Sequence, residues 1–233
     1  MKYAIISDIH SNLEALQKAF EIIDKKKVDV IICLGDIVGY GANPNECVNI
    51  VKERCSIVLL GNHDNAAIDT TNASDFNHLA RAAIQWTHDE LTEESAKYLA
   101  SLPYTAAKEN LFFVHSSPRT PEAWDYILSR EEAIYAFQFF SEKICFIGHT
   151  HVPGIFSLSN KVREINQNER YIINVGSIGQ PRDGNPMLSF GIFDIDQWSY
   201  QHIRSPYDIQ TASMKIMERG LPQELSIRIL YGS

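Results

Sequence analysis

V-D-V-I-I-C-L-G-D-I-V-G-Y-G, residues 28–41, reads as a strand that stops on a carboxylate. Val30 to Leu34 is a short apolar run between charge and glycine, the pattern of a strand buried on both faces. The run ends abruptly at Gly35-Asp36. A carboxylate at the tip of a buried strand is costly unless it is paired or holds a metal. The glycine before it lets the backbone turn or lets another group come close. Asp36 is therefore expected to be a carboxylate shared by two metal ions, with the other ligands supplied by loops that end other strands.

On the N-terminal side, Tyr3–Ile6 forms a first strand ending in Ser7-Asp8-Ile9-His10. A helix follows, with Ser11 and Glu14 as a capping box and Leu13, Leu16, Phe20 and Ile23 on one face. Strand, helix and the Val28–Leu34 strand make a βαβ unit with parallel strands. On the C-terminal side, Gly39-Tyr40-Gly41 turns into a helix capped by Asn43, with Pro44 first and Glu46 as partner. A strand at Ser56–Leu60 ends in Gly61-Asn62-His63-Asp64.

From about Ser74 to Ala100 the pattern is helical throughout, and residues 65–103 are expected to form a helical insertion within a single 233-residue domain, packed beside the site and in part a lid. Strands are expected at 105–108, 111–114 and 144–147, with a Ser129-capped helix to about Phe140 between the last two. Runs at 155–158, 161–165, 171–173, 188–194 and 198–203 read as a second, more antiparallel sheet built from hairpins. Two helices, about 208–219 and 222–230, close the chain around Gly220 as C-cap.

The composition is that of an ordinary globular domain, 45% hydrophobic and 21% charged. The net charge of −8 excludes a general nucleic-acid-binding surface, which needs a Lys/Arg patch. It leaves phosphate substrates open, because bound cations invert the local field. The four cysteines have no C-x-x-C spacing and read as reduced, buried and structural. No stretch resembles a signal peptide or a membrane span, so a cytoplasmic location without membrane partners is expected.

Five strand-like runs end in a polar cluster: Asp8-x-His10, Gly35-Asp36, Gly61-Asn62-His63-Asp64, His115, and His149-x-His151. Sites in open α/β sheets form beyond the carboxyl ends of strands, so these clusters should converge. At i, i+2 on an extended segment, Asp8 and His10 point the same way, as do His149 and His151. The set is too large for one tetrahedral zinc and suits two metals sharing a carboxylate. Mixed imidazole and oxygen ligands favour manganese, Fe, Zn, Co or Ni over calcium or magnesium. Such pairs of ions clamp a phosphoryl group and activate a bridging water. His63 stands beside a ligand without being needed as one, and a histidine is a suitable general acid near neutral pH.

The combination D-x-H, G-D, G-N-H-D, a lone histidine after a strand, and G-H-T-H resembles the calcineurin-like metallophosphoesterases over about residues 1–151. The resemblance implies an α/β (α+β) fold, a four-layer αββα sandwich with two central mixed sheets flanked by helices. It implies a dinuclear centre in which one metal takes Asp8, His10, Asp36 and His151. The other takes Asp36, Asn62, His115 and His149. His63 would protonate the leaving oxygen or stabilise its charge, and Asp64 would orient His63. The implied activity is hydrolysis of a small phosphodiester or phosphomonoester, a nucleotide among the candidates, by a bridging hydroxide.

Serine/threonine protein phosphatases and symmetric diadenosine tetraphosphate hydrolases carry Arg four residues after the shared Asp. Tyr40 stands there in this chain. That removes a bidentate phosphate grip and makes both activities the weaker alternatives. The chain is more similar to the small prokaryotic phosphodiesterase-type branch, also in Asn174-Val175-Gly176-Ser177 and Gln180-Pro181-Arg182-Asp183-Gly184. Arg182 is then either the replacement phosphate contact or a surface-turn arginine. Tyr40 either walls the substrate pocket or packs, and Asn174 either lines the site or makes a strand-end hydrogen bond. Trp124 and Tyr126 bound a pocket or belong to the packing. A non-catalytic interaction module, like the retromer subunit that resembles this family, would be expected to lack an intact ligand set and His63. A phosphate sensor would bind without turnover. Here the ligand set and His63 are both present.

Overall fold

The computed structural model describes residues 1–159 and 165–233. The first strand, β1 (Lys2–Ile6), shows how its layers arise. Successive strand side chains point to opposite faces, and Tyr3 to Ile6 are all buried. Tyr3 and Ile5 pack with Leu111, Phe113, Ile144, Phe146 and Ile173 of a second sheet. Ala4 and Ile6 pack with Leu16, Ala19, Phe20 and Val48 of two helices. A strand apolar on both sides is what a sheet between a second sheet and a helical layer requires.

The first sheet has the order β10 (Ser199–Ser205), β9 (Leu188–Asp194), β1, β2 (Val30–Cys33), β3 (Ile57–Val58). The second runs β4 (Thr105–Lys108), β5 (Leu111–Val114), β6 (Ile144–Ile147), β8 (Tyr171–Asn174), β7 (Gly154–Ser157). Both are mixed: β1, β2 and β3 are parallel, as are β5, β6 and β8, with antiparallel neighbours outside them. Helices α1 (Leu13–Lys26) and α2 (Pro44–Arg54) cover the first sheet. Helix α6 (Arg130–Ala136) covers the outer face of the second through Ala133 and Ala136 against Val114, Cys145 and Ile172. The result is the expected four-layer αββα sandwich.

Helices α3 (Asn62–Ile68), α4 (His78–Glu90) and α5 (Glu93–Ala100) occupy the region expected as a helical insertion. A bond from Leu60 N–H to the Pro103 carbonyl closes its two ends. Thr92 caps α5 as expected, its hydroxyl accepting from Ser95 N–H. Helices α7 (Ile209–Glu218) and α8 (Gln223–Tyr231) pack together against Tyr40, Ala42, Ala80 and Ala83. Gly220, at φ +74°, takes up the left-handed turn after α7.

Several expectations change. The cap of α1 is Asn12, whose side chain accepts from Ala15 N–H, while Ser11 has φ +55° and a buried hydroxyl without a partner. Ser11 stands one residue before the N-cap position of a helix that starts at Leu13. Asn43 stands at the N-cap of α2, but its side chain bonds Glu46 rather than a backbone N–H. The late β-rich segment does not make a sheet of its own. The β9–β10 hairpin joins β1 in the first sheet, and only β7 and β8 stay in the second. Hairpin periodicity gives pairing between neighbours in sequence and is blind to which older strand a hairpin docks on. The expected strand at 161–165 falls largely on residues outside those described.

Candidate metal centre

The parallel strands of both sheets end at one edge, and backbone bonds stitch the loops there together. Asp8 N–H donates to the Gly35 carbonyl, and Ile9 and His10 N–H both donate to the Asp36 carbonyl. Across the sheets, His149 N–H donates to the Asp8 carboxylate, and within the second sheet Gly148 N–H donates to the His115 carbonyl. The loops pay for this closeness in backbone strain. Asp8, His10, Asp36, Tyr40, Trp124, His149 and His151 all have φ between +50° and +66°. Non-glycine residues in this left-handed region cost about 1–3 kcal/mol each and persist only where the surroundings impose them. Asp8/His10 and His149/His151 therefore converge through left-handed turns, not along the extended segments their spacing implied.

The ligand atoms of Asp8, His10, Asp36 and His151 lie within 4.8 Å of one another, as do those of Asp36, His115 and His149. All six residues are buried. Asp36 belongs to both groups. Its Oδ1 accepts from His63 N–H at 2.8 Å. Its Oδ2 makes no well-formed hydrogen bond and lies 3.4 Å from His115 Nε2 and 3.6 Å from His10 Nε2. A Cβ on Gly61 would collide with Asp36 Oδ1, so only glycine lets the two loops meet here. Asn62 Oδ1 is 3.2 Å from His115 Nε2, which places it beside the second group.

The outer nitrogens of three imidazoles are spoken for. His10 Nδ1 donates to the Val38 carbonyl (3.1 Å), His151 Nδ1 to the Gln180 carbonyl (2.6 Å), and His149 Nε2 to the Trp124 carbonyl (2.9 Å). A carbonyl only accepts, so each ring carries its hydrogen on that outer nitrogen, and the inner nitrogen offers a lone pair. The inner Nε2 atoms of His10 and His151 stand 3.1 Å apart. Two lone pairs facing at that distance repel unless a cation lies between them or beside both. With backbone carbonyls holding the rings, this is the arrangement of metal-binding imidazoles. The donor set fits divalent transition metals.

The electrostatics agree. Burial holds His10 and His151 well below the usual imidazole range and His149 at about 3. Burial also works against charge on His115 and Asp36, but their mutual attraction outweighs it. His115 is raised to about 9 and Asp36 is held well below the carboxylate range. Burial and the nearby Asp36 charge push Asp8 up to about 6. The pocket thus holds two close carboxylates and calls for positive charge.

His63 sits beside Asp36, its ring 4.8 Å from that of His10, 4.4 Å from Tyr40 and 4.9 Å from Phe76. Burial lowers it to about 4, and its Nδ1 has no partner among the described residues. Gly39, at φ +92°, leaves room for this ring, since a Cβ there would stand 2.5 Å from Nδ1. Asp64 does not touch the His63 ring, contrary to its expected orienting role. Its Oδ1 accepts from Ile37 and Val38 N–H and its Oδ2 from Gly61 N–H. It pins the Asp36 loop to the Asn62 turn, because three converging N–H groups consume the carboxylate.

Arg182 reaches the site: its Nη2 lies 3.3 Å from the Tyr40 hydroxyl and 3.0 Å from Gln180 Oε1, and its backbone N–H donates to the His151 carbonyl. Tyr40 is buried and packs on the His10 and His63 rings. Asn174 does not line the centre. Its amide donates to the Gly148 carbonyl and Thr150 Oγ1, fixing the loop that carries His149. Trp124 and Tyr126 do bound the site, Tyr126 stacking on His149 at 4.0 Å. The carbonyls of Val38, Trp124 and Gln180 have no signal in a side-chain motif. Phe76 reads only as a helix-face residue.

A profile of the calcineurin-like phosphoesterase superfamily domain matches residues 1–198. The uncharacterized protein MJ0912 of Methanocaldococcus jannaschii is 37% identical over 98% of this chain and 97% of its own length. Phosphodiesterase YfcE of Escherichia coli is 25% identical over 84% of this chain and 89% of that protein. The crystal structure of a metallophosphoesterase from Sphaerobacter thermophilus superposes with a TM-score of 0.90, at 39% identity, covering 100% of this chain and 99% of that one.

Proposed function

Because this chain belongs to the calcineurin-like phosphoesterase superfamily, we propose that it is a dinuclear metal-dependent phosphoesterase that hydrolyses a small phosphate ester. The observation that carries this reading is the facing pair of His10 and His151 nitrogens beside the unsatisfied Asp36 Oδ2. Asp8, His10, Asp36 and His151 would hold one ion; Asp36, Asn62, His115 and His149 would hold the other. Two bound divalent ions supply a Lewis-acid clamp on phosphoryl oxygens and an activated water. Manganese, iron, zinc, cobalt and nickel all suit the ligands.

The chain's own groups do the rest. The carbonyls of Val38, Gln180 and Trp124 fix the imidazole tautomers. Asp64 fixes the spacing between the Asp36 and Asn62 loops. His63, held by its backbone bond to Asp36 and kept neutral by burial, stabilises the charge on the leaving oxygen through a ring N–H, and protonates it where the charge of the bound phosphate raises the imidazole from about 4. Arg182 supplies the guanidinium for phosphoryl oxygens that Tyr40 does not. Diester hydrolysis has the support of the similarity to phosphodiesterase YfcE. No helix among the described residues is long and apolar enough to cross a membrane. With four free cysteines, the proposed location is the cytoplasm.

Elemental analysis paired with hydrolysis of p-nitrophenyl phosphate and bis-p-nitrophenyl phosphate tests the reading. Metal-dependent turnover of at least one ester is expected. No turnover of either by fully loaded protein would overturn it.

A further inference from the structure

Two guanidinium groups converge on one phenol at the edge of the metal centre. The Arg182 guanidinium carbon lies 5.7 Å from the centre of the Tyr40 ring, and that of Arg228 lies 5.9 Å from it. Neither arginine has an Asp or Glu oxygen within ion-pair distance among the described residues. The ion pairs among the described residues instead use Arg54, Arg119, Arg204 and Arg219, with lysines, the N-terminus and the clustered histidines. Arg182 bonds only neutral oxygens, those of Gln180 and Tyr40. Arg228 Nε donates to a backbone oxygen of Ser233, the last residue of the sequence.

This placement is unfavourable as it stands. Burial and the neighbouring Arg182 both disfavour charge on Arg228. The positive charge of both arginines reaches His63, and that of Arg182 reaches His10 and His151. Two cations with no Asp or Glu partner among the described residues, held together in a protein of net charge −8, favour an anion lying between them. The ions and part of Arg182 would answer the reacting phosphoryl group, and the remaining Arg182 donors, with Arg228, are left for a second anion.

The geometry points to a second anion subsite at Tyr40, formed by Arg182 and Arg228, that takes a further phosphate or equally charged group of the same substrate. This inference rests on the phosphoesterase reading. It narrows the substrate class to phosphoesters that carry two anionic groups. Helix α8 thereby contributes to recognition, although Arg228 lies beyond the residues 1–198 that match the family profile. Tyr40, which takes the place of an arginine beside the shared carboxylate, serves as the platform on which two arginines from elsewhere are mounted.

The test is calorimetric titration of the manganese-loaded protein with propylphosphonate, propane-1,3-bisphosphonate and hexane-1,6-bisphosphonate, whose C–P bonds survive hydrolysis. At least one bisphosphonate is expected to bind about tenfold tighter than the monophosphonate, the size of one charged hydrogen-bonding group. Arg228→Gln should collapse that ratio to near one, and Arg228→Lys should keep part of it. Unfolding temperatures of the variants show whether α8 remains packed. Should Arg228→Gln unfold the protein, the Lys variant and the wild-type ratio still decide. Equal affinities in the wild type, or a ratio unchanged in a folded Arg228→Gln, would overturn the subsite. Calorimetry needs no turnover, so a preserved ratio in a protein that hydrolyses nothing would count against the esterase reading and not against the subsite.

Discussion

His10 Nε2 and His151 Nε2 lie 3.1 Å apart on rings whose other nitrogens donate to the Val38 and Gln180 carbonyls. The two residues are 141 positions apart in the chain and come from different sheets. Their backbones are both in the left-handed region. The fold therefore spends conformational energy to bring two lone pairs together. That expense makes sense only where a cation repays it.

Metal removal should consequently destabilise the protein. An ion present at a thousandfold its dissociation constant stabilises the native state by about 4 kcal/mol. For a chain of this length that corresponds to an unfolding temperature roughly 8–16 °C higher. Differential scanning calorimetry before and after chelation should show this drop, with recovery on adding manganese. An unchanged transition would mean that the centre binds no ion tightly.

Gly39→Ala should separate catalysis from metal binding. The new methyl would stand 2.5 Å from His63 Nδ1, on a backbone at φ +92° that alanine resists. A displacement of about 1 Å in a catalytic group costs roughly 10²-fold. Turnover should fall by that order while elemental analysis still finds the wild-type metal content. Equal loss of metal and turnover would instead place Gly39 in the scaffold of the centre.

Asp64→Asn replaces an oxygen that accepts from a backbone N–H with an amide that cannot. All three partners of the carboxylate are backbone N–H groups of Ile37, Val38 and Gly61. The loss is expected to be about 1–3 kcal/mol, the cost of leaving a buried N–H without its acceptor. Urea unfolding should show a lower midpoint at unchanged slope, and metal affinity should weaken because the Asp36 loop is no longer pinned. Retention of full stability with a selective loss of turnover would restore a direct role on His63.

Asn12→Ala should cost more than an ordinary N-cap. The side chain accepts from Ala15 N–H and also donates to the Gly179 carbonyl and the Tyr207 hydroxyl. A cap alone contributes about 1 kcal/mol, and each further net bond about 1 kcal/mol. A loss of roughly 2–3 kcal/mol is expected by denaturant titration, whereas Ser11→Ala should be nearly neutral because its hydroxyl has no partner. Equal costs would contradict the assignment of the cap.

The fold was legible where the chain is apolar on both sides of a strand. Ile32–Leu34 and Ile144–Ile147 are buried throughout, while Val30 and Ile31 at the start of the first run are half-buried. The candidate metal ligands were legible because each follows a strand closely, so strand-end position and residue type coincide. What stayed hidden was set by backbone. The φ values of Asp8, His10, His149 and His151 were read as extended because i, i+2 spacing carries no dihedral. The carbonyls of Val38, Trp124 and Gln180 orient the ligands without any side-chain signature. Asp64 lies next to His63 in sequence, and adjacency stood in for contact, whereas the carboxylate turns the other way. Arg228 was invisible because α8 reads as a closing helix and nothing in its sequence says that it returns to Tyr40. The docking of β9–β10 on β1 was hidden for a similar reason.

The central claim is that ions held around Asp36 carry out ester hydrolysis. The most direct measurement is titration of chelated protein with manganese, following bound metal per chain and hydrolysis of bis-p-nitrophenyl phosphate and p-nitrophenyl phosphate in the same samples. Turnover should be absent without metal, rise with occupancy and level off at about two ions per chain, with neither binding nor turnover in Asp36→Ala. Full activity in the chelated protein, or in Asp36→Ala, would contradict it.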